Sequence, residues 1–192
     1  MASGFIQEIF KELNLSQREV AIIASAIKKM SVRKGDLISN EGQSGCSLYF
    51  VNTGCLRTYF VYAAGKEYTL EFATNGCLIT DYSTLFADEF AVLTIECLQD
   101  AVVYQLPKEN LKKLYKQIPQ IEKFYNERVE KSLIAFQKRL LSTIVQSAQE
   151  RYMMFVKMYP NINKMVKNYH IASYLGITPE SLSRVIKNIY AQ

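Results

Sequence analysis

The 192-residue sequence has one histidine, four cysteines and no apolar run approaching the width of a bilayer. Each shortage removes a class of function. With His170 alone there is no Ser-His-Asp spacing and no H-E-x-x-H, and no phosphate-cradling glycine loop is present, so the chain reads as a non-enzyme. Cys46, Cys55, Cys77 and Cys97 all lie in the front half without C-x-x-C spacing, so neither a zinc site nor an iron–sulfur ligand run can be read from them. In a reducing compartment such thiols are small buried hydrophobes, the alternative being a redox sensor. A membrane helix needs roughly 20 successive apolar residues, which the sequence does not supply. No basic segment followed by an apolar core opens the chain, so a secretory signal is not expected and a cytoplasmic protein is.

What is present is unevenly distributed. Residues Met1 to Pro107 carry 8 Lys/Arg against 12 Asp/Glu, whereas Lys108 to Gln192 carry 15 against 6, so a net charge of +5 conceals a back half at +9. A positive half of this kind is the electrostatic footprint of a polyanion binder, because neutralising phosphates releases counterions. A lysine-rich solvated helical surface would give the same count.

Ser16-Gln17-Arg18-Glu19 has the form of a capping box, and Val20, Ile23, Ala24 and Ile27 follow at helical spacing, which predicts a helix over about Gln17 to Lys29. From Ser31 to Leu106 the texture changes to β-branched and aromatic runs separated by glycine-containing turns about every ten residues, the pattern of an antiparallel sandwich or roll. Strands are expected at Ser47 to Val51, Leu56 to Tyr62, Tyr68 to Ala73 and Val102 to Leu106, with a short helix near Tyr82 to Phe86. Pro107 then opens a helix to about Lys116, and Pro119 opens a longer one free of Gly and Pro to about Ala148.

In that long helix Ile121, Tyr125, Val129, Leu133, Phe136, Leu140 and Ile144 step by three or four and form one stripe. A helix of about 30 residues is about 45 Å long and outruns a small domain. The stripe therefore predicts an isologous dimer through the same helix of a second copy, the alternative being packing within the chain.

Residues Tyr169 to Asn188 have the layout of two short helices joined by a tight turn. Ile171 and Leu175 give the first helix an apolar face, Ala172 leaves room for the second, and Gly176 can take the positive φ of the turn. Thr178 is placed to cap the second helix, Pro179 fits its first turn, and Leu182, Val185 and Ile189 form its inner face. Thr178, Glu180, Ser181, Ser183, Arg184 and Lys187 are then the candidate DNA contacts. Glu180 would accept from cytosine and Arg184 would donate a fork to guanine, the others serving phosphates or secondary contacts.

With Lys34-Gly35-Asp36, Glu41-Gly42, Tyr49-Phe50-Val51, Gly54-Cys55-Leu56-Arg57, Gly65-Lys66-Glu67 and Ile171-Ala172 through Ser183-Arg184-Val185 in place, the sequence resembles the Crp/Fnr family of bacterial regulators over nearly its whole length. The resemblance implies an α+β protein. A cyclic-nucleotide-binding-like β-roll with flanking helices would occupy residues 1–117, a dimerisation helix 118–148 and a helix-turn-helix 149–192. It implies double-stranded DNA, a second copy of the chain and RNA polymerase as partners, and Glu180 and Arg184 as base readers. Non-DNA ligand or protein binding through the same fold is the competing reading.

Three departures qualify the resemblance. Where cyclic-nucleotide binders of the family carry Gly-Glu and Arg-Ser/Thr, this sequence has Thr80-Asp81 and Ala91-Val92, so cyclic AMP is not expected as the ligand. The cysteine-rich N-terminal run of the iron–sulfur members is absent and His170 lies in the helix-turn-helix, so neither cluster nor haem is expected, and no cofactor is assigned. The sequence ends at Gln192, where many members continue, so a wing is not expected. Two possibilities remain for the front domain: a pocket for a small effector bounded by Leu70, Phe72, Thr80, Asp81, Tyr82, Ser83 and Phe136, or a filled core.

Overall fold

The computed structural model describes residues 2–190 except Cys46. In chain order the elements are α1 Ala2–Ile9, α2 Gln17–Ala26, β1 Lys28–Val32, β2 Leu37–Ser39, β3 Ser47–Tyr62, β4 Lys66–Ala73, β5 Leu78–Ile79, β6 Thr94–Pro107, α3 Lys108–Gln117, α4 Pro119–Val145, α5 Ala148–Met158, α6 Ile162–Met165, α7 Asn168–Leu175 and α8 Pro179–Tyr190. A 3-10 turn at Ala63–Gly65 and a π-helical turn at Ser83–Ala87 complete the set. The latter is close to the short helix expected at Tyr82 to Phe86.

The six strands form one antiparallel sheet in the order β1-β6-β3-β4, with β2 on β6 and β5 on β3. Strands β3 and β6 are long enough to bend only because their register slips at Val51/Thr53, Thr53/Cys55 and Cys55/Leu56. Gly54 sits in that irregular stretch at φ +92, and a Cβ there would lie 2.5 Å from the Asp100 carbonyl oxygen. The two expected strands at 47–51 and 56–62 are thus one strand carried through a bulge, and β6 starts well before Val102. The α2 helix ends at Ala26 instead of Lys29 because Lys28 already pairs with Gln105 of β6.

The sheet and helices enclose three apolar clusters. One joins α1–α3 and the first half of α4 to the start of β3 and end of β6, through Ile6, Ile23, Leu48, Leu106, Leu114, Ile118, Ile121 and Phe124. A second fills the roll with Val51, Leu56, Ala73, Ile79, Ile95, Cys97 and Val103. The third lies on the other face of the same strands, where Cys55, Phe72 and Leu98 meet Phe155, Ile171, Tyr174 and Leu182 of the terminal helices. Alternation along β3, β4 and β6 therefore serves two cores at once. Leu56, Ala73 and Cys97 point into the roll while their neighbours Cys55, Phe72 and Leu98 point to the terminal helices.

The long helix ends at Val145, about 40 Å from its start. It does not reach Ala148 because Ser147 caps α5: its hydroxyl accepts from the Glu150 amide at 3.3 Å, and Glu150 accepts from the Ser147 amide at 2.8 Å. Ser147-Ala148-Gln149-Glu150 is the same capping box that starts α2.

Candidate nucleic-acid interface

The α7–α8 corner is built as its sequence requires. Gly176 ends α7 at φ +68 and donates to the Ala172 and Ser173 carbonyls. Thr178 Oγ1 accepts from the Ser181 amide at 3.2 Å and so caps α8. Leu182, at 0% exposure, pins α8 into the third cluster, flanked by half-buried Val185, Ile186 and Ile189. The opposite side presents Pro179, Glu180, Ser183, Arg184, Lys187 and Asn188 to solvent.

The six candidate contacts divide accordingly. Glu180, Arg184 and Lys187 are exposed, and none of the three is in a salt bridge among the described residues. The Glu180 carboxyl is held below the usual carboxylate range by its own backbone N–H and the Thr178 hydroxyl, with Arg184 a smaller contributor, so it remains an acceptor at neutral pH. Thr178 and Ser181 are engaged in the cap, and Ser183 donates to the Pro179 carbonyl at 3.0 Å while staying exposed.

His170, by contrast, is 4% exposed, and burial, aided by the Arg57, Lys167 and Lys34 charges, drives its pKa down to about 3. It is a neutral core residue. Among the described residues no group of three or more His, Cys, Asp or Glu could hold a metal ion. Burial pushes the Cys55 thiol up to about 12 and the Cys97 thiol up to about 11, which suppresses the thiolate that a redox sensor needs at those two positions. Cys46 lies outside the described residues.

The corner does not hang free. Among the described residues strand β4 pairs only with β3, so its other edge carries no strand, and the terminal helices close it. Ser173 Oγ accepts from the Thr69 amide at 2.9 Å and donates to the Glu67 carbonyl at 2.8 Å. Arg139, from α4, donates to the carbonyls of Leu70, Thr69 and Tyr174 and stacks its guanidinium 3.8 Å from the Tyr174 ring centroid. Phe72 adds edge contacts to Phe155 and Tyr159 at 6.0 and 5.8 Å. Roll, long helix and helix-turn-helix thus meet at one joint, which the sequence reading missed: Arg139 and Ser173 look like ordinary polar positions on helices.

Glu71 lies at that joint, where burial raises its pKa to about 7 against the opposing effect of Arg139. On the strand side of it, Arg57 is 2% exposed and binds Glu96 at 2.7 Å through Nε, Thr69 at 3.1 Å and Glu67 at 2.5 Å, tying β3 to β4 and β6.

The expected effector pocket is not one cavity. Leu70 and Phe136 line a space of about 70 Å³ and Tyr82 one of about 240 Å³, with Glu71 shared between them. Phe72 faces the helix-turn-helix cluster instead. Thr80 donates to the Ser47 carbonyl at 3.1 Å, and Asp81 accepts from the amides of Ser83, Val92 and Leu93, each at 2.8 Å. Thr80, Asp81 and Ser83 line neither space because their polar groups tie down the loop between β5 and β6.

The stripe on α4 is likewise divided. Ile121 and Tyr125 are buried in the chain's own first cluster and Val129 packs against it, so these three are not free for a partner. Phe136 is half-buried against the roll. Leu133, Leu140 and Ile144 stand out at 67%, 64% and 71% exposure, joined by exposed Ile134, Leu141 and Val145. No helix among the described residues is long and apolar enough to cross a membrane.

Comparison with known proteins agrees with this architecture. Residues 29–118 match the cyclic nucleotide-binding domain family. The chain is 22% identical over 185 residues to the transcriptional activator protein anr of Pseudomonas aeruginosa, covering 90% of this chain and 75% of that one. It is 24% identical over 186 residues to the transcriptional activator protein FnrA of Stutzerimonas stutzeri, with the same two coverages of 90% and 75%. Among solved structures, FixK2 from Bradyrhizobium japonicum superposes with a TM-score of 0.75 at 20% identity, covering 86% of this chain and 85% of that one.

Proposed function

We propose that this chain, which resembles the Crp/Fnr regulators in sequence and fold, is a homodimeric, sequence-specific DNA-binding transcriptional regulator of the cytoplasm. The observation that carries the proposal is the outer face of α8, where Glu180, Arg184 and Lys187 are exposed while Leu182 is fully buried beneath them. A helix so anchored can enter a major groove with Glu180 and Arg184 at base edges and Lys187 at a phosphate. Leu133, Leu140 and Ile144, with Leu141 beside them, form the dimer face. Two copies of α8 then meet half-sites about one DNA turn apart. As a regulator of this kind, the bound dimer would contact RNA polymerase.

Cyclic AMP is not the effector in this reading. The Asp81 carboxylate already takes the amides of Val92 and Leu93, and a cyclic phosphate placed there would face that anion in place of an arginine. A small effector instead has the 240 Å³ space beside Tyr82, Arg128 and Glu71, between roll and long helix.

Selection of bound fragments from random duplex DNA tests the proposal. The wild-type protein is expected to recover a two-fold-symmetric site, and Arg184→Ala to relax preference at one position per half-site at a cost of about 1–3 kcal/mol. Unchanged preference in Arg184→Ala, or negligible DNA affinity at low salt, would count against it.

A further inference from the structure

A separate cleft of about 280 Å³ lies between the second half of α4, α5 and the end of α7. Its walls are aliphatic and aromatic: Ile134, Ala135, Met154, Phe155, Met158 and Leu175. Its charged groups are of one sign, beside the uncharged Ser142, Thr143 and Tyr174. Lys131, Lys138, Arg139 and Arg151 line it and no carboxylate does. Among the described residues none of these four is in a salt bridge, and Arg151 Nε is buried without a hydrogen-bond partner. A buried guanidinium N–H left without an acceptor is costly, and an anion at that point would remove the cost.

The predicted dimer does not fill this space. At about 100° per residue, Lys131, Ala135, Lys138 and Ser142 face roughly opposite to Leu133, Leu140 and Ile144, so the cleft opens away from the apolar face assigned to the second copy. The volume lies at the small end of ligand pockets, which run from about 300 to 1,000 Å³, and suits a slender chain.

We propose that the cleft binds an aliphatic carboxylate of the fatty-acid class, with its chain along Ile134, Met154 and Met158 and its headgroup on Arg151 and Lys138. The bound acid would bridge α4 to α5 and α7 and so stiffen the joint that sets the position of α8. This site is distinct from the space between roll and long helix, and its occupancy can be measured whether or not the protein binds DNA.

Calorimetric titration of the full chain with decanoate, below the concentration at which it forms micelles, is the test, with decanol and acetate as probes of chain and charge alone. Decanoate is expected to bind, and each of the other two to bind about tenfold or more weakly. Arg151→Met should weaken decanoate by about tenfold while Arg151→Lys keeps most of the affinity. Met154→Trp, which fills the cleft, should abolish binding. Thermal melts identify variants that fold. No decanoate binding, decanol binding as tightly as decanoate, or a folded Arg151→Met with unchanged affinity would each overturn the proposal.

Discussion

Replacing Arg139 by alanine removes the side chain on which the joint between roll, long helix and helix-turn-helix converges. Three carbonyls lose a donor, those of Thr69, Leu70 and Tyr174, and the Tyr174 ring loses its guanidinium. Hydrogen bonds from a charged donor contribute about 1.5–3 kcal/mol each and an enclosed cation–π contact about 0.5–2 kcal/mol. Thr69 and Leu70 lie on a strand edge that water can reach once the arginine is gone, which offsets much of that loss. A net weakening of docking by about 3 kcal/mol is expected, equivalent to about 150-fold in the opening equilibrium. Hydrogen exchange reads this directly. The Thr69 amide points away from the sheet and is protected by Ser173 alone, so its exchange reports undocking, whereas the Val103 amide in β6, flanked by β1 and β3, reports unfolding of the roll. Arg139→Ala should accelerate Thr69 exchange by about two orders of magnitude while leaving Val103 far less affected. Equal Thr69 exchange in wild type and a folded Arg139→Ala would refute the assignment of the joint to this side chain.

Because the Glu71 pKa is raised from 4.5 to about 7, the folded state holds a proton that the unfolded state has released, so this group lowers stability as pH rises from about 4.5 to 7 and adds no slope above that. Glu71→Gln should flatten the pH dependence of the melting temperature in that window and raise stability at pH 8 relative to wild type. Leu140→Glu should shift sedimentation towards monomer and weaken operator binding, since two copies of a leucine contributing about 2 kcal/mol each are replaced by facing charges. Gly54→Ala should destabilise by about 3 kcal/mol or more in chemical unfolding, combining positive-φ strain with a backbone clash. Gly176→Ala, with no atom within 4 Å of a new Cβ, should cost only the strain, about 1 kcal/mol.

The parts of the molecule that could be read from sequence are those fixed by short-range rules. The Ser16 capping box, the Gly176 turn and the inner face of α8 each depend on residues within a few positions of one another, and each stands where the spacing puts it. The Ser147 box obeys the same rule and was legible, but the absence of Gly and Pro up to Ala148 favoured an uninterrupted helix. The errors arise where distant segments compete for one residue. Ile121 and Tyr125 share a helical stripe with Leu140, yet α1 and α3 bury the first two and leave the last exposed. Phe72 alternates correctly with Glu71, but which face meets the roll interior and which the terminal helices is decided by how α5 and α7 return to the sheet. Arg139 and Ser173 acquire their roles from carbonyls and amides of β4 about 70 and 104 residues away, contacts with no periodicity to betray them.

Strand β4 gives the docked helices a second task. Its outward amides and carbonyls form an unpaired ladder that any extended peptide could extend, and Ser173 and Arg139 occupy that ladder from within the chain. Any movement that carries the reading head away from the sheet uncovers the ladder. Variants or conditions that loosen the joint should therefore suffer first from strand-to-strand self-association, so that loss of solubility precedes loss of secondary structure.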